Sequence, residues 1–212
     1  MNYPLLTALE KSDAVVLANG QFPTHPLPLA LLKAAKVLVA CDGAALKVPH
    51  PDVVIGDGDS LSEAVKERLK GRLILQTEQD DNDLSKASRY CLAQGFEKIT
   101  YLGATGLRED HTTGNLSLLV RYLKEMGIHG TMATDYGWFV AARGANSFES
   151  RAGMQVSVFN FGCQQLAGKG LKWPCRPFEE LWQGTLNEAL SEQFGIDADG
   201  YYLVFRTYES KT

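Results

Sequence analysis

The sequence predicts an N-terminal α/β domain with a mostly parallel, doubly wound sheet, followed by a smaller antiparallel, sandwich-like β domain. In residues 1–130, short apolar runs alternate with segments of helical spacing, and this alternation is typical of parallel strands joined by right-handed crossovers. In residues 131–212, short strand-like runs are separated by glycines and long helical periodicity is absent. A chain of 212 residues has room for one larger and one smaller domain.

The elements of the first domain follow from their residue types. Three helices are predicted between or after the strands. The first follows a capping-box spacing at residues 60–63 and ends at Gly71, the second begins near Asp83 and ends before Gly95, and the third follows His111 and ends by Gly127. The short β-rich runs, each followed by Gly, Asp or Asn, are 14–18, 37–40, 53–55, 73–75 and 99–102.

The second domain is predicted from runs that carry aromatic and β-branched residues and are bounded by turn residues. These predicted strands are 138–142, 156–161, 170–173 and 201–208.

Composition excludes several functional classes. The formal net charge of -4 is unlike a polybasic nucleic-acid surface, so no nucleic-acid partner is expected. The four cysteines are scattered without a C-x-x-C pair and there are four dispersed histidines, which argues against a structural zinc site. No apolar run approaches membrane-spanning length, and the N-terminus does not resemble a signal peptide. These features predict a cytoplasmic protein with buried free thiols and no membrane partner.

The turn Asp57-Gly58-Asp59, directly after the run 53–55, is the strongest single candidate for a functional site. Alternate residues of an extended segment point to the same side, so both carboxylates can reach one point in space. Oxygen ligands of this kind suit Mg²⁺, which in proteins usually also holds substrate phosphates. A solvated Asp/Gly turn is the alternative interpretation of this segment alone.

Polar residues follow four consecutive predicted strands. Asp42 follows the second, Asp57 and Asp59 the third, an acidic cluster at 80–83 the fourth, and a glycine-containing turn at 103–106 the fifth. In open α/β sheets, ligands bind at the carboxyl ends of the strands. The set as a whole therefore favours a metal–phosphate site over a structural role.

Several of these residues have an ordinary structural role as an alternative. Asp83 is either a metal ligand or a helix N-cap, and Lys86 either contacts a phosphate or forms a surface pair with it. The turn at 103–106 has no dinucleotide or P-loop fingerprint. Its interest comes from Arg108, Asp110 and His111 at a helix start, where backbone N–H groups favour anions. If His111 has no functional role, it is a helix cap or a surface histidine. Asn115 lies on the same helix face, and its alternative role is that of a solvated polar residue.

Taken in order, these motifs resemble the thiamine pyrophosphokinase family. The resemblance spans nearly the whole chain, and its specificity lies in the ordered set, not in any one motif. The matching residues are Asn19-Gly20, Asp42-Gly43, Pro51-Asp52-x-x-Ile55-Gly56-Asp57-x-Asp59-Ser60, Asp83-x-x-Lys86, Gly103-x-x-Gly106-x-Arg108-x-Asp110-His111-x-x-x-Asn115, Gly170-Leu171-Lys172-Trp173 and Gly184-Thr185-Leu186-Asn187-Glu188.

The resemblance implies Mg²⁺-dependent transfer of the β,γ-diphosphate of ATP to the hydroxyl of thiamine, with release of AMP. It also implies a homodimer in which residues 1–130 bind ATP and Mg²⁺ and residues 131–212 bind thiamine and dimerise. Asp42, Asp57, Asp59 and Asp83 would be metal ligands. Lys86, Arg108, Asp110, His111 and Asn115 would lie on the ATP side, and Trp173, Thr185 and Asn187 on the thiamine side. Apart from the resemblance, our hypothesis for the chemistry is direct in-line attack by the hydroxyl, with Asp110 or Asp83 accepting or orienting its proton.

The chain departs from the family pattern at a few positions. Gly58 stands where an aromatic residue is usual, Asn82 where a threonine is usual, Leu46 where an asparagine is usual, and Leu186 where a serine is common. Two alternative functions therefore stay open from the sequence. One is a pyrophosphokinase or nucleotide hydrolase with another small acceptor, and the other is a non-catalytic protein that binds a nucleotide or thiamine.

Overall fold

The computed structural model describes residues 1–78 and 80–210, which form two compact units. One unit comprises residues 8–135, and the other comprises residues 1–7 together with 136–212. In chain order the strands and α-helices are β1 (Asn2–Tyr3), β2 (Ala14–Leu17), α1 (Pro26–Lys33), β3 (Leu38–Cys41), β4 (Val53–Gly56), α2 (Glu63–Arg68), β5 (Leu73–Leu75), α3 (Asp83–Ala93), β6 (Lys98–Leu102), α4 (Glu109–Arg121), β7 (His129–Ala133), β8 (Gly137–Arg143), β9 (Asn146–Glu149), β10 (Met154–Phe161), β11 (Leu166–Lys169), β12 (Asn187–Glu188), β13 (Gln193–Ala198) and β14 (Tyr201–Ser210).

The unit of residues 8–135 is built on parallel strands. They pair in the order β7-β6-β2-β3-β4-β5, and every pairing among them is parallel. Strands β2, β3, β4 and β6 are almost wholly buried, because strands covered on both faces consist of apolar runs. The predicted parallel α/β fold is confirmed.

The other unit is antiparallel apart from one pair. Strands β12, β10, β14 and β8 pair in that order, and β9, β13 and β11 form a second antiparallel set that β1 joins in parallel. Its core contains the aromatic rings of Phe148, Phe194 and Tyr202. The predicted antiparallel β fold is confirmed.

The boundary between the units differs from the predicted division at residue 130. That position lies inside β7, and the chain divides after Asp135. Residues 1–7 belong to the β unit because β1 pairs with β9 and the carbonyl of Tyr3 accepts a hydrogen bond from Arg206 at 3.0 Å. Pairing between segments so far apart in the chain cannot be predicted from the local sequence of residues 1–7.

The structure corrects three predicted elements. Helix α2 begins at Glu63 with Ser62 as its N-cap, so residues 60–63 do not form the predicted capping box. Helix α4 begins at Glu109 and contains His111, which was expected to precede it. The segment 170–173 is not a strand, since β11 ends at Lys169 and Gly170 has a φ of +78°.

Helix α1 is absent from the prediction because its sequence contains two prolines. Pro26 occupies the first turn, where a missing N–H costs nothing, and the ring nitrogen of His25 accepts the N–H of Leu27 at 3.2 Å. Across the described residues, the helices are all too short or too polar to cross a bilayer.

Candidate active site

A cleft of about 410 Å³ opens at the carboxyl ends of the neighbouring strands β6, β2, β3 and β4. Loops that follow these strands, with the first turns of α3 and α4, supply its walls. The lining residues are Ala18, Asn19, Gly20, Cys41, Asp42, Asp57, Asp59, Ser60, Asn82, Asp83, Leu84, Gly103, Ala104, Thr105, Leu107, Arg108, His111, Thr112 and Asn115.

Three carboxylates converge in this cleft. One oxygen each of Asp42, Asp57 and Asp59 lies within 4.8 Å of the others. Asp42 is only 4% exposed, and within residues 1–78 and 80–210 its Oδ1 atom has no hydrogen-bond partner. An unpartnered buried oxygen among like charges is unfavourable unless a cation is bound. The donors are all oxygen, so they fit a hard cation such as Mg²⁺.

The backbone around Asp42 is arranged to bury its side chain. Asp42 has a φ of +40°, an uncommon conformation for a residue other than glycine. Gly56, at the end of β4, leaves the necessary room, because a Cβ there would lie 2.6 Å from the Cβ of Asp42. The N–H of Ser60 donates to Asp42 Oδ2 at 3.3 Å. Packing against Gly56 and the hydrogen bond to Oδ2 thus fix the orientation of the Asp42 carboxylate, and with it the position of Oδ1.

The turn Asp57-Gly58-Asp59 requires its central glycine in this chain. The N–H of Asp59 donates to Asp57 Oδ1 at 3.1 Å, and Gly58 has a φ of +78°. A Cβ at position 58 would lie 2.8 Å from the side chain of Leu75. Leu75 therefore lies next to the turn, and a larger residue at position 58 would have to displace its side chain and adopt a backbone conformation that is rare for residues other than glycine.

Asp83 lines the cleft but is not a member of the three-carboxylate group. Burial raises the pKa of Asp83, the hydrogen bond from Lys86 lowers it, and the charges of Asp42 and Asp57 raise it further. The Asp83 carboxylate therefore lies in the field of the three-carboxylate group. Its suggested role as an N-cap is wrong, since Asn82 is the cap of α3 and accepts the N–H of Ser85 at 3.0 Å.

Lys86 is 2% exposed and is not among the residues that line the cleft. Its Nζ atom donates to the carbonyl of Gln76 at 3.0 Å and to Asp83 Oδ1 at 3.3 Å. The surface pair considered from the sequence is wrong, because this lysine is buried. In this arrangement Lys86 holds Asp83 from beneath the cleft.

Two asparagines connect α3 and α4 at the cleft. Asn82 Nδ2 donates to Asn115 Oδ1 at 3.0 Å, and Asn115 Nδ2 donates to the carbonyl of Ala104 at 2.8 Å. Asn115 is buried, so the solvated polar residue considered for this position is wrong. The two amides form a chain of hydrogen bonds from α3 through α4 to the turn after β6.

Arg108 and His111 line the cleft, whereas Asp110 does not. Asp110 is exposed and pairs with Arg108, whose Nε and Nη2 donate to its two oxygens at 3.1 and 2.5 Å. The hydrogen bond from Arg108 and the backbone N–H of His111 lower the pKa of Asp110 to about 2. Asp110 therefore orients Arg108 at the mouth of the cleft.

Lys47 has a role that its sequence position did not reveal. It ends the 3₁₀-helix Asp42–Lys47, and its Nζ donates to the carbonyls of Gly20 at 2.7 Å and Asn19 at 3.2 Å. Lys47 thereby ties the loop after β2 to the turn that begins at Asp42. The sequence motif Asn19-Gly20 indicated that this loop belongs to the site, but it did not indicate that Lys47 binds the loop.

The remaining predicted site residues belong to the β unit. Asn187 is buried, and its Oδ1 accepts the N–H of Trp173 at 3.1 Å while its Nδ2 donates to the Trp173 carbonyl at 2.9 Å. The Trp173 ring is half exposed, and the Lys172 ammonium lies 5.0 Å from its centroid. Thr185 donates to the carbonyl of Trp182 at 2.7 Å. Asn187 and Trp173 are thus brought together by two hydrogen bonds.

Two family models match the chain in succession. Residues 29–129 match "Thiamin pyrophosphokinase, catalytic domain", and residues 137–205 match "Thiamin pyrophosphokinase, substrate-binding domain".

Two curated relatives share part of the sequence. Thiamin pyrophosphokinase 1 of Caenorhabditis elegans is 36% identical over 102 residues, which cover 42% of this chain and 42% of the nematode protein. Thiamine pyrophosphokinase of Bacillus subtilis (strain 168) is 33% identical over 78 residues, which cover 35% of this chain and 36% of that protein. The chain therefore matches less than half the length of each of these relatives.

Solved structures share the fold. Thiamin pyrophosphokinase from Candida albicans has a TM-score of 0.78 at 17% identity and covers 98% of this chain and 92% of its own. Thiamine pyrophosphokinase from Bacillus subtilis has a TM-score of 0.73 at 19% identity, with 92% and 99% coverage.

Proposed function

Because the chain belongs to the thiamin pyrophosphokinase family, we propose that it transfers the β,γ-diphosphate of ATP to the hydroxyl of thiamine, giving thiamine diphosphate and AMP. The observation that carries the proposal is the group of Asp42, Asp57 and Asp59, with one buried and unpartnered oxygen, inside the segment that matches the catalytic domain. Diphosphoryl transfer needs mainly alignment and charge neutralisation, and a group of this kind is suited to both.

The three carboxylates are the proposed ligands of Mg²⁺, with Asp83 beside them. A bound Mg²⁺ would neutralise charge on the phosphate oxygens of ATP. The chain's own contribution is to hold the ligands in place. Asp42 is fixed by the Ser60 N–H, and the Asp57 carboxylate is bound by the Asp59 N–H, so little reorganisation is needed on binding.

We assign the nucleotide to the wall formed by the turn after β6 and the start of α4. Arg108, His111 and Asn115 line this wall, and the guanidinium of Arg108 is suited to a phosphate. Asp83 lines the cleft and Asp110 does not, so Asp83 is the proposed acceptor of the hydroxyl proton. Lys86, which is buried against Asp83, acts through that carboxylate.

We further propose that Trp173, Thr185 and Asn187 contribute to thiamine binding, since a half-exposed indole ring suits a cationic thiazolium. The proposed enzyme is a cytoplasmic homodimer. All four cysteines are buried free thiols, which agrees with a reducing compartment. Sedimentation analysis of the purified protein and cell fractionation test the dimer and the compartment.

The decisive assay combines the protein with ATP, Mg²⁺ and thiamine and measures AMP and thiamine diphosphate. Asp57→Asn should abolish product formation while the protein stays folded, because it removes a proposed metal ligand. Asp52→Asn is the matched control, since Asp52 lies at the opposite end of the same strand and accepts the N–H of Leu38 at 2.8 Å. This control should keep its activity.

The outcomes separate the alternatives. AMP formed only with a different acceptor would mean another pyrophosphokinase or a hydrolase, and nucleotide binding without AMP at any thiamine concentration would mean a binding protein. Full activity in Asp57→Asn would return the acidic turn to an ordinary structural role.

A further inference from the structure

An ion-pair network surrounds Asp81, which precedes helix α3 and is not among the residues that line the cleft. The Asp81 side chain is 17% exposed, and its Oδ1 accepts from Arg121 Nη1 at 2.8 Å. Its Oδ2 pairs with Arg89, which also pairs with Glu78. Arg89 lies on α3 and Arg121 is the last residue of α4, so one carboxylate connects two helices.

The residues directly after Asp81 belong to the cleft. Asn82 caps α3 and donates to Asn115, which lies on α4 six residues before Arg121. Asp83 comes next and lines the cleft. Helix α4 therefore contacts residues 81–82 at two points, through Arg121 and through Asn115.

Asp81 itself is not placed to bind a metal or a phosphate. Both of its oxygens are engaged by arginines, and a carboxylate would repel the substrate phosphates. The hydrogen bond from Arg121 is the main factor that lowers the pKa of Asp81, so the pairing favours the charged form. The network instead restricts the position of the backbone that carries Asn82 and Asp83.

We propose that Asp81, held by Arg89 and Arg121, is a positioning residue for the diphosphoryl transfer, because it fixes Asn82 and Asp83 at the cleft. This inference rests on the proposed function. Misplacing a reacting group by about 1 Å can reduce a rate by about 100-fold, so a residue outside the cleft can control the reaction through geometry.

The test uses the Asp81→Asn variant. An asparagine has the same shape, but an NH₂ group, which cannot accept a hydrogen bond, replaces one of the two carboxylate oxygens, so one of the two arginine links is lost. We expect kcat for AMP formation to fall about 10- to 100-fold at a temperature where the variant is fully folded. Asp81→Glu keeps the charge and should recover part of the loss.

Glu125→Gln is the matched control. Glu125 pairs with the Nε atom of the same Arg121 at 2.8 Å, but it has no contact with Asp81. This variant removes an ion pair of that arginine and leaves the link to Asp81 in place. Its kcat should equal that of the unmodified protein.

Hydrogen exchange supplies a readout that does not depend on catalysis. The N–H groups of Ser85 and Lys86 donate to the Asn82 carbonyl at 3.0 and 3.1 Å, so they report the order of the first turn of α3. In Asp81→Asn their exchange should be faster by about tenfold, the factor expected for one lost hydrogen bond to a charged group.

The two readouts distinguish the possible failures. If the unmodified protein forms no AMP, the proposed function fails, and faster exchange in Asp81→Asn still supports the positional role of Asp81. Unchanged exchange overturns the inference, whether or not activity falls. Faster exchange with an unchanged kcat also overturns it, because positioning would then have no effect on the reaction.

Discussion

Replacing Asp42 by asparagine should make the metal-free protein more stable and inactive at the same time. Asparagine tolerates the positive φ of +40° at this position. Its side-chain oxygen can still accept the N–H of Ser60, and its amide group would then occupy the position of the unpartnered Oδ1. Asp42, Asp57 and Asp59 each offer one oxygen within 4.8 Å of the others, so we expect the new amide to donate to a neighbouring carboxylate.

The magnitude follows from the burial of that oxygen. Leaving a buried polar group unsatisfied costs about 1–3 kcal/mol, so the free energy of unfolding without metal should rise by about 2 kcal/mol. With Mg²⁺ this difference should shrink to near zero. A ligand at 100 times its Kd stabilises the folded state by about 2.7 kcal/mol, and the variant should lose most of this gain because it lacks one ligand.

Denaturant unfolding with and without Mg²⁺, together with AMP release, measures these effects. Asp13→Asn is the control, since Asp13 Oδ2 accepts the N–H groups of Glu97 and Lys98 at 3.0 and 2.8 Å away from the cleft. It should lose roughly 0.5–1.5 kcal/mol and keep its response to Mg²⁺. The reasoning is refuted if Asp42→Asn is less stable than the unmodified protein without metal, or if it retains activity.

Two further predictions concern the rim of the cleft. Lys47→Met removes the ammonium that binds the carbonyls of Asn19 and Gly20, so kcat/KM for ATP should fall by about tenfold, and Lys47→Arg should restore part of it. Steady-state kinetics check this, and equal values for all three proteins would contradict it. The pKa of Asp110 is about 2, below the unfolded value of about 3.9, because Arg108 donates to it. Any stability from this pair is therefore present above about pH 4 and lost as the pH falls toward 2, and an NMR titration midpoint near 3.9 would contradict the pairing.

The strands of the α/β unit could be predicted closely because each signal is local. Buried parallel strands are continuous apolar runs, and the predicted run 53–55 lies within β4. Helix α1 could not be predicted in this way, since its two prolines are typical of a loop unless the start of the helix is already known. The placement of residues 1–7 depended on β9, about 140 residues away.

The candidate site shows the same division. The types of residue at the strand ends indicated Asp42, Asp57 and Asp59 as a group, because parallel strands end at one edge of the sheet. The burial of Asp42 was not predictable. Only the packed structure buries Asp42 with a free oxygen and places Lys86 beneath Asp83 instead of on the surface.

The sequence alone determined the fold class, the family, and the fact that acidic residues follow successive strands of the parallel sheet. Tertiary structure decided which charged residues face the cleft and which hold others in place. Asp81 is as acidic as Asp57 in the sequence, yet it is paired with two arginines outside the cleft. The physical reason is that a carboxylate's role depends on its neighbours in space, and arginines such as Arg121, 40 residues away from Asp81, are brought near only by folding.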